Sequence, residues 1–120
     1  MSFEKKDYYT IVEQAKDSVP GFKDAYYRFE EHTSNHQNSR SLLILYGRSI
    51  AKIALHFDRV PHTISVDEIN SYLYRISIHE KQSITYFKHA IYGMRYWFRL
   101  FGMEGHALKM PPIKKTETLP

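Results

Sequence analysis

The amino-acid sequence predicts an all-α domain, and three observations carry that expectation. Apolar residues recur three and four positions apart almost throughout. No segment shows the apolar–polar alternation of a half-buried strand. The residues that punctuate the chain, among them Pro20-Gly21, Ser65 with Glu68, and Gly102, are of the kinds that start or stop helices.

A short first helix is expected near residues 7–17, broken by Pro20-Gly21. A second runs about 22–33 with Phe22, Ala25, Tyr26 and Phe29 on one face, and the polar run Thr33–Asn38 reads as a loop. A third opens near Ser39 and runs to about Phe57, burying Leu43, Tyr46, Ile50, Ile53 or Ala54, and Phe57. Asp58 to Thr63, with Pro61, is a turn. Ser65-Val66-Asp67-Glu68 has the form of a capping box, which opens a fourth helix to about Ile76 with Ile69, Leu73 and Ile76 inward. A fifth spans about 82–101 and stops at Gly102. Met110-Pro111-Pro112 cannot continue a helix, so the tail from there reads as an extended linker.

Composition narrows the function classes. The chain has 120 residues, enough for one domain with a modest core. With no cysteine, disulfide frameworks and thiolate metal sites are excluded. No apolar run reaches the ~20 residues of a membrane span, and the start MSFEKKDYYT lacks a signal peptide's apolar stretch. A cytoplasmic location follows as the expectation. The net charge is +4, unevenly spread: residues 1–31 hold seven acids and five bases, residues 32–120 six acids and twelve bases. Such a distribution suits a polyanionic partner.

The fifth helix concentrates this asymmetry. Ile84, Phe87, Ile91, Met94, Phe98 and Phe101 form an apolar stripe. Lys81, Thr85, Lys88, Tyr92, Arg95 and Arg99 form a second, basic and aromatic one, with no acid between Glu80 and Glu104. A solvated helix ordinarily mixes both signs, because like charges one turn apart repel; a phosphate backbone relieves that repulsion. The third helix repeats the pattern with Arg48, Lys52 and His56, and Arg40 and Ser41 stand at its start, where free backbone N–H groups also suit phosphate. Gln82 and His89, with Thr85 and Tyr92, supply neutral donors and acceptors suited to base edges. The alternative for both faces is a merely wet basic surface. Gly47 and Gly93, inside helices, point to close helix packing or to close approach of a phosphate.

Enzymatic candidates are poor. His56-Phe57-Asp58-Arg59 spells H-x-x-R, but at a helix end with no nucleophile around it. His32 and His36 have metal-ligand spacing without a third ligand nearby and read as exposed loop histidines, so no metal and no cofactor are expected. No phosphate-cradling glycine loop occurs.

Four segments, in order, resemble one family. They are Ser39-Arg40-Ser41 followed by Tyr46, Ile50, Ile53 and Phe57; Ile64 through Leu73; Ser83 through Phe98 (SITYFKHAIYGMRYWF); and Ile113-Lys114-Lys115 leading to Leu119-Pro120. Together they are similar to the N-terminal core-binding domain of tyrosine recombinases, the phage-integrase family, over about residue 22 to the end. The resemblance departs at Ser41, which stands near where the family favours Thr and is one residue too far from Tyr46, and residues 1–20 have no clear counterpart.

The resemblance implies a SAM-like four-helix domain at 22–109. An extra short N-terminal helical extension would occupy 1–21, and a linker at 110–120 would lead toward an absent catalytic domain. It implies one half of a clamp on double-stranded DNA at a recombination site of a mobile genetic element, with the helices at 39–57 and 82–101 facing the duplex. The implied partners are the catalytic domain of the same recombinase and other protomers in a synaptic complex. The family's catalytic residues lie in that other domain, so none is expected in this chain. The DNA-binding candidates are Arg40, Ser41, Arg48, Lys52, Lys81, Gln82, Thr85, Lys88, His89, Tyr92, Arg95 and Arg99. Two competing readings are a SAM-like protein-interaction module that leaves DNA alone, and a small intact enzyme.

Overall fold

The computed structural model describes residues 10–35, 40–103 and 108–111 and, of residues 35 and 40–42, the backbone alone. Its described elements are helices α1 (Ile11–Ser18), α2 (Phe22–Asn35), α3 (Arg40–Phe57), α4 (Val66–His79) and α5 (Ile84–Leu100), with a 3-10 turn at Pro61–Thr63. No strand occurs among the described residues, so the domain is all-α as the periodicity predicts. The expected N-terminal turn of the first helix and the linker beyond Pro111 lie outside the described residues.

Each boundary has a local cause. The Thr10 side chain accepts from the Glu13 amide and starts α1. Gly21, at φ 82, makes the turn into α2, a backbone conformation cheap only for glycine. The capping box forms as read: Ser65 Oγ accepts from Glu68 N, and Glu68 Oε1 accepts from Ser65 N, both at 3.1 Å. Arg59 Nη2 donates to the other Glu68 oxygen at 2.8 Å. That backbone donor, then Arg59, hold the exposed Glu68 carboxyl below its ordinary pKa. At the end of α5, Gly102 N donates to Arg99 O and Met103 N to Phe98 O, with Gly102 at φ 75. This is the Schellman arrangement expected of a helix-stopping glycine. Asp58, at φ 55, takes the same left-handed position after α3, with Arg59 N bonded to Ala54 O.

Three boundaries differ from expectation. α4 runs past Ile76 to His79, with the Glu80 amide still donating to the Ile76 carbonyl. α2 continues through Thr33 to Asn35, because Thr33 is buried and satisfies its hydroxyl on the Glu30 carbonyl inside the helix. α5 begins at Ile84, with Ser83 as its N-cap, so Lys81 and Gln82 precede the helix.

The core is built around Trp97, which is fully buried. The Phe22 ring stacks on it at 5.7 Å and the Phe29 ring lies tilted at 5.5 Å. Its Nε1–H donates to His62 Nδ1 at 3.0 Å, and the His62 ring stacks on Phe101 at 4.1 Å. The face predicted for α2, Phe22, Ala25, Tyr26 and Phe29, is buried throughout. α3 packs against both α1 and α5. Its partners on α5 run in descending order, Tyr46 meeting Tyr96 and His89 while Lys52 meets Tyr86, so the two helices are antiparallel.

α5 approaches α3 closely at Gly93, and α2 approaches α3 closely at Gly47. A Cβ on Gly93 would lie 3.2 Å from Tyr46 Cβ, and a Cβ on Gly47 would collide with the Tyr26 hydroxyl. Both glycines therefore serve helix packing. The α5 stripe differs from prediction at one residue and is wider than predicted. Ile84 is 43% exposed, while Ala90, Gly93 and Trp97 are buried beside Phe87, Ile91, Met94 and Phe98. No helix among the described residues is long and apolar enough to cross a membrane.

Candidate nucleic-acid interface

α5 gives one broad arc to the core and leaves the opposite arc to solvent. Thr85, Lys88, Tyr92 and Arg99, spaced three, four and seven residues apart, lie on that outer arc and are all exposed. Neither α3 nor α5 contains an acid. Among the described residues the ion pairs are Lys16–Glu13 and Arg59–Glu68, and neither involves α3 or α5. The outer stripe of α5 therefore carries positive charge with no ion-pair partner among the described residues, beside an exposed tyrosine ring.

The remaining candidates do not share that stripe. Lys52 is half-buried, and its ammonium lies 5.0 Å from the centroid of the Tyr86 ring, which joins it to the α5 side. His89 is also half-buried, its ring 6.5 Å from that of Tyr46 in the seam between α3 and α5. Burial, and then the neighbouring Tyr92, raise the Tyr46 phenol above its ordinary pKa, so it stays a neutral group at this edge.

Arg48 is exposed on a different flank. It lines a recess of about 430 Å³ with Glu13, Lys16, Tyr26, Glu30 and Ile44, between α1, α2 and α3. Burial first, then Glu30 and Glu13, push the Tyr26 phenol well above its ordinary range. Lys81 is exposed and Gln82 half-buried in the segment before α5, where Gln82 Nε2 reaches Glu80 Oε1 at 3.4 Å. The side chains of Arg40 and Ser41 lie outside the described residues.

Arg95 departs most from the sequence expectation. It shares the basic stripe by spacing, yet it is half-buried, and its Nη2 donates to the Leu108 carbonyl at 2.9 Å. Its Nε–H is buried with no hydrogen-bond partner among the described residues. Arg95 therefore spans two surroundings, the exposed stripe and the segment that follows α5.

The enzymatic candidates do not converge. The exposed His56 ring lies 4.3 Å from Tyr72, whereas Arg59 turns to Glu68. Burial, with Arg75 nearby, lowers the His56 pKa. His32 is not in a loop: it stands in the last turns of α2, half-buried, with Nδ1 2.6 Å from the Tyr96 hydroxyl. His36 lies outside the described residues, and no group of three metal-ligating side chains occurs among those described.

Sequence reasoning missed Tyr86 and Tyr96 at this face. Neither falls on the two stripes drawn for α5, and their partners Lys52 and His32 come from other helices. A scan against protein-family models and searches of curated proteins and of solved structures give no match to this chain.

Proposed function

We propose that this chain is the DNA-gripping N-terminal domain of a tyrosine recombinase or integrase, a SAM-like module that holds the recombination site as half of a clamp. The observation that carries this reading is the acid-free outer stripe of α5. Thr85, Lys88, Tyr92 and Arg99 are exposed together there, with no ion pair to α5 among the described residues. Lys88 and Arg99 would contact phosphate, and Thr85 and Tyr92 would meet base edges. The four-segment resemblance gives the family and α3 and α5 as the DNA-facing pair; charge and exposure support α5, while α3 adds only the lack of acids. The recombinase's catalytic domain supplies the strand-cleaving groups, and this chain positions the duplex.

A second reading, a helical protein-interaction module, draws on Tyr74 and Ile78. They are 49% and 56% exposed, one turn apart on α4. Titrating a fluorescent duplex at two salt concentrations separates the two. The proposal expects dissociation constants on the order of 10⁻⁴–10⁻⁶ M at physiological salt, tightening steeply as salt falls. Absence of binding at low salt overturns it in favour of the second reading. The chain alone is expected neither to cleave nor to join DNA; a covalent protein–DNA adduct on supercoiled plasmid would contradict that.

A further inference from the structure

The segment after α5 returns to the body of the domain and is fastened there at three points. Leu108 is 1% exposed, inserted into the core. Its carbonyl accepts from Arg95 Nη2 at 2.9 Å. The next amide, Lys109 N–H, donates to Asn70 Oδ1 on α4 at 2.9 Å. Residues 108–111 thus form a strap across α4 and α5, and one of its fasteners belongs to the basic stripe.

That fastener is poorly compensated. Arg95 carries a full charge, its Nε–H is buried and unpaired among the described residues, and its hydrogen-bonded partner is a neutral carbonyl. Its guanidinium carbon lies 6.0 Å from the centroid of the Tyr92 ring, within the exposed stripe. A phosphate oxygen pair is a much stronger partner for a guanidinium than one carbonyl, because the hydrogen bonds are charge-assisted and can be bidentate. A phosphate backbone running along Lys88, Tyr92 and Arg99 would bring a phosphate into competition with the Leu108 carbonyl for Arg95.

We infer that Arg95 is a latch, holding the 108–111 strap in the free domain and transferring to a DNA phosphate when the α5 stripe is occupied, so that duplex binding loosens the strap. The inference rests on the DNA-binding reading above and adds a coupling to it. Whatever follows the strap along the chain gains freedom to reorient once DNA is held. Because the strap and the phosphate compete for one group, the coupling is reciprocal: weakening the strap must strengthen DNA binding, by at most the factor with which DNA weakens the strap.

The test measures hydrogen exchange at the Lys109 amide by NMR in the full chain, free and with a mixed-sequence duplex. Binding is followed separately by fluorescence anisotropy. Saturation with duplex should speed Lys109 exchange, on the order of tenfold, the worth of one charge-assisted hydrogen bond. Asn70→Ala, which loosens the strap while keeping the arginine, should tighten duplex binding by about two- to tenfold. Arg95→Ala should show fast Lys109 exchange that duplex no longer alters, with Ile91 and Met94 amides still protected as proof of fold. Binding with unchanged or slower Lys109 exchange overturns the latch and leaves the DNA-binding reading standing. So does an Asn70→Ala affinity equal to or weaker than that of the unaltered chain. Absence of binding overturns both.

Discussion

Gly47 lets α2 and α3 approach closely, since a methyl there would collide with the Tyr26 hydroxyl. Alanine favours a helix by up to ~1 kcal/mol over glycine, whereas overpacking a buried contact costs about 1–3 kcal/mol. Gly47→Ala should therefore lose about 1–2 kcal/mol of unfolding free energy by urea titration. Adding Tyr26→Phe removes the colliding oxygen and should recover most of that loss; an unchanged midpoint in the single variant would contradict the packing role.

His62 gives a residue-scale pH dependence. Burial, and then Arg28, lower its pKa below the ordinary histidine value, and its Nδ1 must stay unprotonated to accept from Trp97. The unfolded chain then takes up the proton more readily than the folded one. Stability is full above about pH 6.5 and falls as pH drops below it toward the folded-state pKa. Trp97 is the single tryptophan, so its fluorescence reports the transition. The urea midpoint should fall between about pH 7.5 and pH 5.5, and His62→Gln should flatten the decline. His56 shifts the same way, so the comparison with His62→Gln isolates the half-buried His62 ring.

At the scale of the element, the sequence shows helices well and their neighbours poorly. The capping box at Ser65 and the glycine stop at Gly102 are local chemistry, set by residues within a turn of one another, and both form as read. Periodicity registers one face and so predicts a single apolar line on α5. The helix is instead covered on two sides, by α3 at Gly93 and by the α2 aromatics at Trp97, so its buried arc is wide and Ile84 falls off its edge. The same limit hid Arg95: its spacing matches Lys88 and Arg99, but the chain returns over it at Leu108, a contact thirteen residues away that no helical pattern encodes. Arg48 likewise keeps its basic spacing yet lies in the recess with Glu13 and Glu30. Truncation should separate the two arcs of α5. Ile91→Ala, at a 2% exposed site, should cost roughly 2–5 kcal/mol by urea unfolding. Lys88→Ala or Arg99→Ala, on the exposed arc, should stay within about 0.5 kcal/mol. Comparable losses at all three would erase the distinction between a packed face and a free one.

Among the described residues, acids are absent from two of the five helices. α1 and α2 carry Glu13, Asp17, Asp24, Glu30 and Glu31, while α3 and α5 hold no acid at all. Self-repulsion along two packed helices opposes folding slightly, and a polyanion on the α5 side would relieve it. The central claim is that Lys88 and Arg99 meet duplex phosphates. The measurement that tests it most directly is duplex affinity as a function of salt for the unaltered chain and for the folded Lys88→Ala, Arg99→Ala double variant. The expected result is weaker binding and a plot of log K against log salt made shallower by about 0.9 for each residue removed. A folded double variant with unchanged affinity and unchanged salt slope would contradict the claim and remove α5 from the DNA interface.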